Sequence, residues 1–166
     1  IALAQVLTKR LSVAKMTLFE PVAVWVLKRI DDQIMYLSVQ DFLVKYRHAV
    51  ANNTPYACGK VIDFWGGKGL FSSLPEFIKA NMVPLINNNI RHWDIDANIS
   101  NNLTDLQQCT VPTRLVYGDK SSTVAHAICH HLGKQMPNSS IFVIKGASHF
   151  LVTSHVDECL AVLSST

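Results

Sequence analysis

Two kinds of hydrophobic pattern alternate along the chain, and their order predicts its architecture. Three short runs, 15–20, 113–117 and 140–145, are rich in apolar and β-branched residues and are closed by Pro21, Gly118 and Gly146. Runs of that length and composition, ended by residues that break a ladder, read as strands. Around them, apolar residues recur at helical spacing. Residues 1–10 read as a helix with small and apolar residues first and Lys9 and Arg10 in its last turn, where they oppose the macrodipole. Further helices are predicted over about 122–135 and 155–164, with a turn at Met136-Pro137-Asn138 between the first of these and the third strand.

The 87 residues from Val22 to Gln108 carry no strand pattern. Apolar positions at helical spacing occur in Ile34, Leu37, Phe42 and Tyr46, and again in Phe77, Ile78, Met82 and Ile86. Pro55, Pro75 and the Gly66-Gly67-Lys68-Gly69 turn divide the stretch into three or four helices. A crossover between parallel strands needs only about a dozen residues. An insertion of this size is the mark of a lid or binding element. The expected fold class is therefore α/β: three parallel strands with flanking helices, formed by 1–21 and 109–166, plus an inserted all-helical cap over 22–108. Three parallel strands by themselves leave one edge bare and apolar, which predicts association or poor solubility.

Composition narrows the classes of function. At 166 residues, 49% hydrophobic and 16% charged, the chain is long enough to bury one sizeable core. No apolar run reaches the roughly 18 residues of a membrane span, so no membrane partner is expected. The net charge of +3 comes from scattered Lys and Arg, which argues against a nucleic-acid partner. Cys58, Cys109, Cys129 and Cys159 lie too far apart for a knuckle and are expected as free buried thiols in a reduced, cytoplasmic setting. Asn-x-Ser/Thr triplets at Asn98, Asn102 and Asn138 are ascribed to the abundance of asparagine. Gly66-Gly67-Lys68-Gly69 lacks the frame of a phosphate-binding loop. Cys129, His130 and His131 diverge around a helix, and although His126 and His130 share a face, no acidic residue accompanies them, so no metal and no cofactor is expected. Asp94 and Asp96, on either side of Ile95, read as capping residues.

Open α/β sheets do their chemistry beyond the carboxyl ends of the strands. Here those ends offer Glu20, Asp119 and His149. Taken with residues 1–10, Leu18-Phe19-Glu20-Pro21-Val22, Phe64-Trp65-Gly66-Gly67-Lys68-Gly69, Val111 to Asp119 and Gly146-Ala147-Ser148-His149-Phe150, the chain resembles the second half of a cap-bearing α/β-hydrolase. The resemblance implies a nucleophile in a Gly-x-Ser-x-Gly turn just ahead of Ile1, and no such motif occurs in the sequence. A partial sequence, inactive alone, is the expectation. It also implies that His149 is the base. The acid usual in the family, three residues beyond Gly118, is here Ser121, so the acid is expected instead at Glu20, with Asp119 as competitor.

The function so implied is hydrolysis of an ester or similar bond of a mostly apolar small molecule by a nucleophile, His149 and a carboxylate. The alternative is a non-catalytic ligand- or partner-binding protein of the same fold, a reading to which Ser121 lends weight. Trp25, Tyr36, Phe42, Tyr46, Tyr56, Phe64, Trp65, Phe71, Phe77 and Trp93 are expected mainly as the inserted segment's own core, with a few facing the cleft. The oligomeric state is left open.

Overall fold

The computed structural model describes residues 1–164 and shows a mixed α/β chain: a three-stranded parallel sheet flanked by helices. The strands are β1 (Met16–Phe19), β2 (Thr113–Gly118) and β3 (Ser139–Ile144), in the order β1-β2-β3. Met16 is in register with Thr113 and Phe19 with Val116, while Thr113 faces Ser139 and Gly118 faces Ile144. All three strands therefore end on the same side. α1 (Ala2–Leu7) precedes them, α9 (Thr123–Gln135) connects β2 to β3, and α10 (Leu151–Ser154) and α11 (Val156–Ser164) follow.

Because successive side chains of a strand face opposite ways, the central strand feeds two cores. Leu115, fully buried, joins the larger core with Val124, Ile128 and Leu132 of α9. Val116, next in sequence and equally buried, joins a smaller one with Ile144, Leu151, Cys159 and Val162 beneath α11. β3 is not the buried strand its apolar run suggests. It pairs on one side only, and Ile141 and Val143 are exposed. β1 and β3 are the two edge strands of the sheet.

Between β1 and β2 the chain is helical throughout: α2 (Trp25–Arg29), α3 (Gln33–Ala51), α4 (Gly59–Gly66), α5 (Leu70–Ser73), α6 (Glu76–Met82), a 3-10 turn (Val83–Leu85), α7 (Ile86–Ala97) and α8 (Leu103–Gln107). There are more helices than the three or four expected. Gly67 and Gly69 adopt positive φ and end α4, and Pro75 stands at the entrance of α6, so the punctuation cuts the segment finely. Asp32 caps α3 by accepting from the Met35 N–H (3.2 Å) and also takes His131 Nε2 of α9 (2.8 Å), which joins this segment to the sheet layer. That contact holds the Asp32 carboxyl below the usual range.

Two local expectations need correction. The first helix ends at Leu7, and Lys9 enters the left-handed region, so Lys9 and Arg10 lie beyond its last turn. The buried face of α3 is Val39, Phe42, Tyr46 and Ala49, whereas Ile34 and Leu37 point to solvent at 76% and 59% exposure. The 3.6-residue spacing of the apolar residues was right for two faces of the helix, and packing chose between them. Phe77 is likewise exposed.

All four cysteines are buried and free, and burial pushes the Cys129 thiol up to about 12, an inert group. Among the described residues, no helix is long and apolar enough to cross a membrane. Chemical denaturation provides a check on the assignment of faces: Phe42→Ala is expected to cost about 3–5 kcal/mol, and Leu37→Ala within about 0.5 kcal/mol. Similar losses at the two positions would place the packed face of α3 elsewhere.

Candidate active site at the strand ends

Glu20 follows β1 directly and sits at φ +42°, a left-handed conformation uncommon for a residue with a side chain. Its N–H still pairs with Val116 O (2.8 Å), so the strand continues for one bond before the chain turns. The turn sends the carboxylate across the end of the central strand, where the residue is 4% exposed. One oxygen, Oε1, accepts the Gly118 N–H (2.8 Å) and the hydroxyl of Ser121. The other, Oε2, lies 2.6 Å from His149 Nδ1. An ionised carboxylate can only accept, so Nδ1 carries the proton in this contact and Nε2 is the ring nitrogen left to act as a base.

Glycine at position 118 is what lets the first strand end reach the third. A Cβ there would lie 2.2 Å from the Ala147 carbonyl oxygen, so any side chain would push away the loop that carries His149. That loop is tied down on both sides. The Lys120 N–H donates to Ala147 O (2.9 Å), and Asp119 Oδ1 accepts the Gly146 N–H (2.6 Å).

The structure thus brings Glu20 and His149 together and keeps Asp119 out of the pair. Asp119 is exposed and fastens the turn at Gly146, where φ is +81°. Ser121, which stands where the acid was sought first, is buried and donates to Glu20. The histidines of α9 have protein partners: His126 Nε2 contacts Gly118 O (2.9 Å), and His130 Nε2 contacts the Tyr117 hydroxyl (3.1 Å). Among the described residues no group of three metal-capable side chains converges.

The helical segment supplies the other wall. Trp65, near the end of α4, stacks on the His149 ring (5.1 Å between centroids, 21°) and on Trp93 of α7 (5.8 Å, 10°), giving three nearly parallel rings in a row. Ser122, the cap of α9, donates its N–H to the Trp65 carbonyl (3.1 Å) and so fixes the tryptophan's backbone against the sheet layer. Beside these rings lies a cavity of about 450 Å³ lined by Ile1, Val22, Val61, Ile62, Asn89, His92, Ile95, Ile99 and Phe150 together with Trp65, Trp93 and His149. Asn89, His92, Trp93 and Asp96 are spaced as one face of α7, and all four line it.

Asp96 is the member of this wall that sequence reasoning missed. Expected as a capping residue, it is 8% exposed, and its Oδ1 has no hydrogen-bond partner. Burial pushes its carboxyl up to about 6, against the pull of the Trp25 and Val24 amides. The sequence holds a faint signal for it, since Trp93 and Asp96 are three apart on one helix and the tryptophan could be expected to face inward. Its neighbour Asp94 is on the outer face, paired with Arg47 (2.6 Å).

Compared with known proteins, the chain matches no family model and no curated protein.

The raised carboxyl has a measurable consequence. Between about pH 4 and pH 6 the folded protein keeps a proton at Asp96 that the unfolded chain releases, so folding stability falls as pH rises through that window, by about 2 kcal/mol. Asp96→Asn is expected to flatten that part of the stability curve and to raise the melting temperature at pH 7. An unchanged slope between pH 4 and 6 in denaturant titrations would show that Asp96 is not the group responsible. At the strand ends, Gly118→Ala is expected to lower stability by about 1–3 kcal/mol and to move the His149 imidazole NMR signals; unaltered imidazole shifts would show that the close approach at Gly118 does not position the ring.

Proposed function

We propose that the chain is the C-terminal half of a cap-bearing α/β-hydrolase, acting on an ester or similar bond of a mostly apolar small molecule. The observation that carries this reading is the 2.6 Å contact between Glu20 Oε2 and His149 Nδ1 at the carboxyl ends of the strands. In this reading Nε2 takes the proton of a nucleophile as it attacks the scissile carbonyl and returns it to the leaving group. Glu20 holds the ring in the required tautomer and stabilises the imidazolium. The Gly118 N–H and the Ser121 hydroxyl keep the carboxylate in place, so Ser121 supports the substitute acid in a position where the family more often has the acid itself.

The nucleophile and the oxyanion donors belong, on this proposal, to residues ahead of Ile1. Ile1 lines the same cavity as His149, so a turn immediately preceding α1 would enter the site. The helices between β1 and β2 act as the cap: they contribute Trp65, Trp93 and most of the cavity wall, which is mainly apolar and suits an acyl or alkyl ester better than a sugar or a short acid.

Two measurements test the proposal. The residues encoded ahead of Ile1 should contain a Ser, Cys or Asp in a tight glycine-flanked strand-to-helix turn, and their absence there would remove the catalytic reading. In the protein with that turn, Glu20→Gln should lower kcat on a short-chain aryl ester by about 10³–10⁴-fold, whereas Asp119→Asn should change it less than about threefold. The reverse ranking would move the orienting role to Asp119.

A further inference from the structure

The strand ends fix one atom of the His149 ring but not the plane of the ring. The hydrogen bond from Nδ1 to Glu20 Oε2 (2.6 Å) ties down that atom and leaves the imidazole free to turn about the contact. The histidine χ2 torsion is broad and sets no plane of its own. Where Nε2 points therefore depends on what lies against the faces of the ring. Phe150, the next residue in the chain, meets the imidazole edge-on, with 5.7 Å between centroids and 83° between planes. Among the described residues it is Trp65 that lies along a face, at 5.1 Å and 21°. Trp65 is itself well held: it is 4% exposed, Trp93 stacks on its ring (5.8 Å, 10°), and its carbonyl accepts the Ser122 N–H (3.1 Å).

We propose that Trp65 is a positioning residue for His149: its indole face sets the plane of the imidazole, so that the Glu20 hydrogen bond and the indole together aim Nε2. One fixed atom and one fixed face define the orientation of a planar ring, and neither does so alone. The two come from different layers, Glu20 from the end of β1 and Trp65 from α4. The helical segment thus does more than wall the cavity, because the ring is in line only while α4 is seated against the sheet layer. The contact also suits the proton transfer proposed above. A cation over the face of an indole is attracted by the ring quadrupole, so the stack is kept when Nε2 takes up a proton. The positioning role rests on the reading of Nε2 as the proton-accepting nitrogen, but the orientation of the ring is measurable without turnover.

Histidine NMR reads that orientation directly. In the full-length protein, ¹⁵N-labelled at histidine, the His149 signals are assigned by their loss in His149→Gln. With the ring neutral, the wild type is expected to show a single tautomer with the proton on Nδ1, and nuclear Overhauser contacts from the imidazole to the Trp65 indole. Trp65→Leu, which removes the face, is expected to mix the two tautomers and to speed exchange of the Nδ1 proton with water by about three- to tenfold. Trp65→Met keeps the bulk without the ring and is expected to behave as Trp65→Leu does, which guards against a leucine variant that does not fold. Trp65→Phe restores a ring and is expected to stay within about twofold of the wild type. Phe42→Leu thins the same aromatic cluster, next to Phe64 and Trp93 and away from His149, and is expected to leave tautomer and exchange as in the wild type. A wild-type imidazole without contacts to the indole, wild-type behaviour in the leucine or methionine variant, a phenylalanine variant as disturbed as these, or an equal disturbance in Phe42→Leu would each overturn the proposal. Because no turnover is measured, an absent nucleophile changes none of these signals, and a failure of the hydrolase reading is told apart from a failure of this one.

Discussion

A single buried carboxylate organises one end of this molecule. Glu20 cannot be ionised at 4% exposure unless its oxygens are satisfied. The groups that satisfy them come from different parts of the chain: the Gly118 amide at the end of β2, the Ser121 hydroxyl in the turn before α9, and the His149 ring in the loop after β3. All three strand ends are therefore pinned to one charge. Removing any donor leaves the same anion less well paired in a dry environment, so the geometry of the site and the stability of the sheet's carboxyl edge are the same property. The left-handed backbone at Glu20 belongs to this arrangement, since strained conformations persist where the surroundings over-determine them.

The helical segment between β1 and β2 shares its core with the sheet layer, Val26, Leu27 and Phe42 lying in one cluster with Leu115, Val124 and Ile128, and polar and aromatic contacts add to it. Ser122 holds the Trp65 carbonyl, Asp32 holds His131, and the row of rings from His149 through Trp65 to Trp93 carries the packing from the loop into the helices. Gly66 faces Phe150, whose ring would lie 3.0 Å from a Cβ at that position, so the end of α4 approaches the histidine loop as closely as its backbone allows. The cavity is the space left where two layers meet with aromatic groups on one wall.

The strands, their order and the ends at which polar groups emerge were legible in the chain because a buried parallel strand is an apolar run, and Gly118, Pro21 and Gly146 punctuate it. Glu20 and His149 were legible as candidates for the same reason: Glu20 closes one such run and His149 lies four residues beyond another. What the pattern misjudged was exposure. Ile34, Leu37 and Phe77 are apolar and solvent-facing, β3 is an edge strand, and Asp96 is charged and buried. Periodicity reports that a helix has an apolar side, but α3 has apolar residues on more than one side, and its burial depends on what packs against it.

By itself, the sequence determined the class of fold, the helical nature of the long crossover and the short set of residues able to do chemistry at the strand ends, since each depends on local spacing and chain punctuation. Only the tertiary structure put Glu20 and not Asp119 against His149, turned Ser121 into a donor to Glu20, and brought Asp96 to a cavity wall. Those outcomes depend on distances between residues about a hundred positions apart, such as the 2.8 Å from Gly118 to Glu20, and no pattern of neighbours along a chain encodes such a distance.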